Sequence, residues 1–367
     1  MYINFWYPIA QSKEVTTYEP FKTKVLNMNL VAFRDTDGKA VVLSDTCIHR
    51  GGSLGDGKIK KGQAECPYHG WLFNASGHCT HIPTVKEKPP VRAKVDSYPT
   101  QEKYGILFAF LGDLPEDERP PIYEIEEYEK DPWRTNDIVV FEINAYYERS
   151  VENGLDPAHN EFVHPLQGGP SIAASIQDHP IQVEDTSEWS SAFLQPFGAK
   201  GAHEDKKALG AGEGHTRAGS EHFGPNTLIT RIWFSETRKF HQFFFEAPID
   251  GESTRIFFVN MRNWMLEDEN DRRLIDINLN IADEDIKIVE TLDPVRTPSS
   301  TAKEMLVPAD KPIFRYREFL TEWEKKGWKI DRKAYEAQKG DVAFAIPCPA
   351  RRESKSWILD PIPLVKP

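Results

Sequence analysis

The stretch that decides how this chain is read is Cys47-Ile48-His49-Arg50-Gly51-Gly52, echoed further on by Cys66-Pro67-Tyr68-His69-Gly70-Trp71. Each segment offers one thiolate and one imidazole, in C-x-H and C-x-x-H order. Two kinds of centre accept these four donors. Zinc takes two Cys and two His, but its structural sites usually pair like ligands in C-x-x-C and H-x(3–5)-H knuckles. A [2Fe-2S] cluster takes the same set when two imidazoles replace two thiolates on one iron, a substitution that raises its reduction potential. Here each loop contributes one Cys and one His, which favours the cluster. Gly51, Gly52 and Gly70 follow the ligands, where the backbone must approach a cluster closely and N–H groups can point at sulfur. The rest of the chain is then read as whatever receives the electron.

The surrounding sequence reads as short strands. Leu30-Val31-Ala32-Phe33, Ala40-Val41-Val42-Leu43 and Ile106-Leu107-Phe108-Ala109-Phe110-Leu111 are apolar or β-branched runs bounded by turn signals such as Asp37-Gly38, Ser76-Gly77 and Gly112-Asp113. A small β-sandwich presenting two loops to one cluster fits that pattern. Leu114-Pro115-Glu116-Asp117 and Pro120-Pro121 then punctuate the chain, so the expected domains are residues 1–117 and 118–367. At 367 residues the chain exceeds one average domain. Its net charge of −12, with no Lys/Arg run, makes it a poor candidate for nucleic acid. No segment reaches the ~18 consecutive apolar residues of a membrane span, and the start lacks a basic region before an apolar core, so the expected location is cytoplasmic. Of the four Cys, Cys79 and Cys348 are read as reduced residues rather than a disulfide.

Beyond the boundary, strands are expected at 137–145, 227–234, 240–247 and 254–260, forming an antiparallel sheet covered on one face. Helices are expected at about 148–161 and 269–292, giving an α+β domain. The first helix carries Asn153, Asp156, His159 and His164. Asp156 and His159 share a face, but His159 and His164 are roughly 140° apart on an ideal helix. Both imidazoles reach one metal only if the helix unwinds, and Pro165 makes an end near His164 plausible. Two imidazoles plus one carboxylate make the facial triad of non-haem Fe(II) oxygenases. The second helix offers Asp283, Glu284 and Asp285. Its apolar stripe is read as Leu274, Ile277, Ile281, Ile288 and Leu292. Asp285 falls roughly 40° from the stripe centre, Glu284 roughly 60° and Asp283 roughly 160°. A carboxylate on a buried stripe needs a cation, so Asp285 is the expected third ligand, with an ion pair to a residue such as Lys287 as the bland alternative. Residues 197–225 hold seven Gly and three His (His203, His215, His222) without an apolar period; the expectation is a mobile cover with solvated histidines.

These motifs together resemble the α subunits of Rieske non-haem iron oxygenases over both domains. The cytochrome-complex Rieske proteins carry an extra Cys in each ligand loop, at positions that are Gly52 and Tyr68 here. The resemblance implies a Rieske [2Fe-2S] β-sandwich holding its cluster with Cys47, His49, Cys66 and His69. A helix-grip (START-like) domain would follow, binding mononuclear Fe(II) through His159, His164 and Asp285, the last inside a Glu284-Asp285…Glu290 segment. It implies a head-to-tail homotrimer in which Asp156 bridges the centres, accepting a hydrogen bond from His159 and from His69 of a neighbour, with Asn153 near the iron. Implied partners are O2, a small organic substrate, probed as aromatic or cyclic, and a separate NAD(P)H-dependent reductase or ferredoxin, since no G-x-G-x-x-G follows a strand. The segment from Leu306 to Arg317 is similar to the monooxygenase and demethylase branch; the alternatives are a cis-dihydroxylating dioxygenase and a non-enzymatic electron carrier.

Overall fold

A computed structural model of the chain describes residues 1–164, 172–197 and 216–367. The chain forms two compact units, one of residues 1–122, 247–250 and 323–367, the other of residues 123–246 and 251–322. The first unit opens with strands β1 (Phe5–Gln11), β2 (Phe21–Val25), β3 (Met28–Arg34) and β4 (Ala40–Ser44). It continues through β5 (Lys58–Lys60), β6 (Gln63–Glu65), β7 (Leu72–Phe73), β8 (Cys79–His81), β9 (Ser97–Tyr98), β10 (Thr100–Lys103) and β11 (Ile106–Leu111). Three antiparallel sheets result, ordered β1-β11-β10, β2-β3-β4-β9 and β5-β6-β7-β8. The three apolar runs read from sequence are β3, β4 and β11, each fully or almost fully buried. Phe33, Leu43, Leu54, Phe73 and Val95 pack around Cys47 and Cys66 in one core cluster.

The division of the chain differs from the expectation at its C-terminal side. Residues 323–367, expected with the second domain, belong to the first unit. Burial explains it. Trp323 packs edge-on against Phe5 at 4.8 Å and Tyr2 at 6.3 Å. Arg351 grips the fully buried Asp96 with two hydrogen bonds of 2.6 and 2.7 Å, satisfying a carboxylate that would otherwise be costly to bury.

The second unit is α+β. Strands β12 (Arg134–Thr135), β13 (Val139–Ile143), β14 (Val183–Ser187), β15 (Ser190–Phe197), β16 (Thr216–Phe223), β17 (Thr227–Trp233), β18 (Lys239–Pro248) and β19 (Thr254–Arg262) form one sheet. Its order is β12-β19-β18-β17-β16-β15-β14, with β13 pairing antiparallel to β19. The four strands expected from sequence are β13, β17, β18 and β19. The polar strands β14, β15 and β16 had no apolar run to betray them. The long helix Glu269–Val289 lies on the sheet in the helix-grip manner, with Val289 and Ile286 packed on Ile143, Ile256 and Phe244. Its buried face is rotated from the expected stripe: Leu274, Asn278 and Val289 are buried, whereas Ile288 and Leu292 are exposed. The expected helix over 148–161 is two pieces, Tyr147–Gly154 and Asn160–Val163. The expected mobile cover lies mostly outside the described residues, with His203 and His215. His222 contradicts its expected solvation: it sits on β16, fully buried against Tyr316 and Phe319, because alternation along the strand turns it inward.

Candidate metal centres

The two cysteine loops are built alike. In the first, Cys47 N–H donates to Gly52 O (2.8 Å) and Gly51 N–H to Cys47 O (2.9 Å); in the second, Cys66 N–H donates to Trp71 O and Gly70 N–H to Cys66 O, both at 2.9 Å. The glycine four residues after each Cys takes a positive φ, +74° at Gly51 and +68° at Gly70, a conformation that costs a side-chain-bearing residue energy. Asp45 steadies the first loop by accepting hydrogen bonds from Ser53 Oγ (2.7 Å) and Gly55 N (2.5 Å).

This scaffold brings the four expected residues to one place. Cys47 and Cys66 are buried and free, and His49 Nδ1 lies 3.1 Å from His69 Nδ1. Trp71 stacks on the His49 ring at 4.6 Å and 6°. Burial pushes the Cys47 thiol up to about 12, assisted by Cys66 and offset in part by a backbone hydrogen bond. Such a thiol gives up its proton when a cation takes the proton's place. Desolvation, then His49 and Arg50, push the His69 imidazole down, favouring the neutral form that ligates metal. A side chain at Gly52 would put a Cβ 3.1 Å from the Cys66 sulfur, so the missing side chain leaves room beside the thiol.

In the second unit the break after Gly154 decides the geometry. His159 caps the one-turn helix Asn160–Val163 at its start and His164 ends it, leaving the helical region with φ −110° and ψ 83°. The unwinding that the five-residue spacing demanded is therefore present. His159 Nε2 lies 3.3 Å and His164 Nε2 3.1 Å from Asp285 Oδ1, and one donor atom from each of the three residues falls within 4.8 Å of the others. Burial alone would raise the Asp285 carboxyl, but hydrogen bonds from His159 and His164 outweigh it and hold the carboxyl well below the usual range. Lys287 pairs with the exposed Asp283 instead.

Neighbouring groups aim the donors. Glu284 Oε2 stands 2.8 Å from His164 Nδ1, and the main-chain carbonyl of Asp156 stands 2.5 Å from His159 Nδ1. Each ring donates through Nδ1, which aims Nε2 at Asp285 as the nitrogen that would exchange its proton for a metal. Asn153 Nδ2 donates to Asp285 Oδ1 at 3.0 Å, placing it beside the three residues. Asp156 corrects one expectation. Its carbonyl, not its carboxylate, meets the His159 ring within the chain; the carboxylate accepts the backbone N–H groups of Ala158, at 2.8 Å, and His159, the ordinary behaviour of an Asp at a helix break. Glu284 was passed over in sequence, although its place beside Asp285 near the stripe was a signal. The helix Tyr147–Gly154 that carries Asn153 is pinned by buried ion pairs: Arg317 holds Glu152 at 2.6 and 2.9 Å, and Glu304 joins Arg317 to Arg149.

A cavity of about 1190 Å³, counting its open mouth, leads to the triad. Asn153, Asp156, His159, His164 and Asp285 lie in its wall, and Phe141, Ile143, Leu228, Phe244, Phe258 and Ile281 make much of the remainder apolar.

Comparison with known proteins decides the family. Residues 5–99 match the Rieske [2Fe-2S] domain and residues 143–326 match the vanillate O-demethylase oxygenase C-terminal domain. The chain belongs to the Rieske oxygenase α subunits. It is 27% identical over 343 residues to methylxanthine N1-demethylase NdmA of Pseudomonas putida, covering 90% of this chain and 92% of that protein. It is 36% identical over 185 residues to the putative toluene-4-sulfonate monooxygenase system iron-sulfur subunit TsaM2 of Comamonas testosteroni, a match covering 50% of this chain and 52% of that one. The chain thus spans about half the length of some of the curated relatives it matches. Among solved structures, dicamba monooxygenase bound to 3,6-dichlorosalicylic acid shares the fold with a TM-score of 0.73 at 21% identity, over 87% of this chain and 96% of that one. NdmA with caffeine does so at 0.71 and 23%, over 88% and 91%.

Proposed function

We propose that the protein is the terminal oxygenase of a multicomponent system that hydroxylates or oxidatively demethylates an aromatic or cyclic substrate. The single observation that carries this reading is the convergence of His159, His164 and Asp285 on one point in the wall of an apolar cavity. Cys47, His49, Cys66 and His69 would hold the [2Fe-2S] cluster, and His159, His164 and Asp285 would hold Fe(II). Once bound, the cluster supplies single electrons and the iron supplies positions for O2 activation. The protein's own groups do the rest. Glu284 and the Asp156 carbonyl hold the Nδ1 atoms of His164 and His159, which aims both Nε2 atoms at Asp285 as the nitrogens that would ligate the metal. Asn153 restrains Asp285 by one carboxylate oxygen, and the apolar wall excludes water around the substrate.

The proposal extends to a head-to-tail homotrimer with the Asp156 carboxylate at the junction of the two centres, to a separate NAD(P)H-dependent reductase or ferredoxin as electron donor, and to the cytoplasm as location. In support, no helix among the described residues is long and apolar enough to cross a membrane. The functional domains are proposed as the cluster-binding residues 1–117 and the iron-binding remainder, the C-terminal segment packing with the former. The test is reductase-driven O2 uptake across methyl ethers, N-methyl compounds and aromatic acids, with product mass and iron content recorded. About three irons per chain and a substrate-stimulated rate are expected; two irons per chain would indicate an electron carrier instead.

A further inference from the structure

Glu246 lies in the cavity wall apart from the three residues proposed to hold the iron. Gln242, Phe244 and Glu246 alternate along β18 and all three line the cavity. The Glu246 side chain is fully buried. Its Oε1 accepts the Ser150 hydroxyl at 2.8 Å, and its Oε2 has no partner. No Lys or Arg lines the cavity among the described residues, so nothing on the protein side neutralises an ionised carboxylate here. Burial pushes this carboxyl up to about 8, against the opposing pull of Ser150. Buried polar atoms in native proteins are ordinarily satisfied, and packing alone would be served better by Leu or Phe at this position. An acid with an unused oxygen in the wall of a substrate cavity is therefore a recognition group.

We propose that Glu246 is the specificity-determining residue of the cavity and that its free Oε2 binds a basic nitrogen on an otherwise apolar substrate. The proposal rests on the reading of this cavity as the substrate site. An amine suits Glu246 wherever the proton rests: the neutral acid donates its O–H to the nitrogen lone pair, and the carboxylate accepts from the ammonium N–H. A hydrocarbon would leave Oε2 unpaired. A substrate carboxylate would add negative charge to a cavity that already holds Asp156, Asp285 and Glu246. Among the described residues, another buried wall atom without a partner is Asn278 Nδ2, whose side-chain Oδ1 accepts Gln242 Nε2 at 3.2 Å. An amide offers a donor or an acceptor and does not select by charge. Charge selection therefore falls to Glu246, roughly 13 Å along the strand from Gln242.

The test is anaerobic calorimetric titration of the holoenzyme with four matched anisoles: 4-methoxybenzylamine, 4-methoxybenzyl alcohol, 4-methoxybenzoate and 4-methylanisole. The amine is expected to bind about tenfold or more tighter than the other three, which corresponds to about 1.4 kcal/mol. Glu246→Gln should remove most of that preference and Glu246→Leu should turn it toward 4-methylanisole, with the visible spectrum of the cluster unchanged in both. The proposal is overturned if any of the other probes binds as tightly as the amine, if no probe binds, or if the preference survives Glu246→Leu. Should Glu246→Leu not fold, the near-isosteric Glu246→Gln carries the comparison alone. Binding needs no turnover, so the probe ranking is read independently of O2 uptake. An amine preference without oxygenase activity would overturn the proposed function alone, and activity without the preference would overturn the role of Glu246 alone.

Discussion

Removing the Glu284 carboxylate should loosen iron without disturbing the cluster. Its Oε2 stands 2.8 Å from His164 Nδ1, a hydrogen bond to a charged group of the kind that contributes about 1.5–3 kcal/mol. The Glu284 side chain keeps 30% of its exposure, so solvent screens part of this and the lower figure of about 1.5 kcal/mol applies. A factor of ten corresponds to about 1.4 kcal/mol, so Glu284→Ala should weaken Fe(II) binding about tenfold. That sits at the low end of the roughly 10–100-fold seen when an outer partner of a metal ligand is removed. Glu284→Gln keeps an acceptor without the charge and should fall between the two. The assay equilibrates each protein against graded concentrations of an Fe(II) chelator and measures retained iron, with cluster absorbance as the internal standard. Iron retention in Glu284→Ala within twofold of the parent would refute the reasoning. Parallel loss of cluster and iron would refute it too, since the effect would then be one of folding.

Other positions give equally direct outcomes. Gly154→Ala would place a Cβ 2.1 Å from Leu228 Cδ2, and overpacking of this kind costs about 1–3 kcal/mol; chemical denaturation should show that loss, with a narrowed cavity and raised KM for bulky substrates. Gly70→Ala forces a side chain into φ +68°, at a cost of about 1–2 kcal/mol, and should speed bleaching of the cluster's visible band under mild denaturant relative to Ser76→Ala on a nearby turn. Burial holds the His222 imidazole down at about 4, below the ordinary value of about 6.5. The unfolded chain then binds the extra proton first, so stability is complete above about pH 6.5 and falls as pH drops toward 4. A His222→Phe variant should lose that part of the acid limb in denaturation midpoints recorded across the window.

Both cluster loops were legible because their donors, turns and glycines are local: Cys47 to Gly52 and Cys66 to Trp71 each carry the paired backbone hydrogen bonds that shape the turn. The candidate iron site was legible for a different reason. His159 and His164, five positions apart, cannot share a helix face, and a carboxylate at Asp285 cannot sit on a buried stripe unpaired. What escaped reading depended on partners distant in sequence. The stripe was rotated because the cavity, not a packed core, faces Asn278, Ile281 and Asp285, leaving Ile288 exposed. Asp156 donates no surprise in position, but periodicity says nothing about whether a carbonyl or a carboxylate meets His159. The packing of residues 323–367 against Tyr2, Phe5 and Asp96 has no local signal at all. Glu246 did have one: an acid at the third alternate position of Gln242, Phe244 and Glu246, directly after the aromatic run Phe243-Phe244-Phe245.

The placement of the triad also makes a bound metal a fastener. His159 and His164 flank a single helical turn, while Asp285 belongs to the long helix about 120 residues further along the chain. Ligation by all three would close a loop of that length, and in a freely jointed chain the entropy of such a closure grows with the logarithm of the span. The turn itself has too few internal hydrogen bonds to persist by its own propensity. Stripped of metal, this turn is expected to exchange its amide protons ahead of the long helix that carries Asp285.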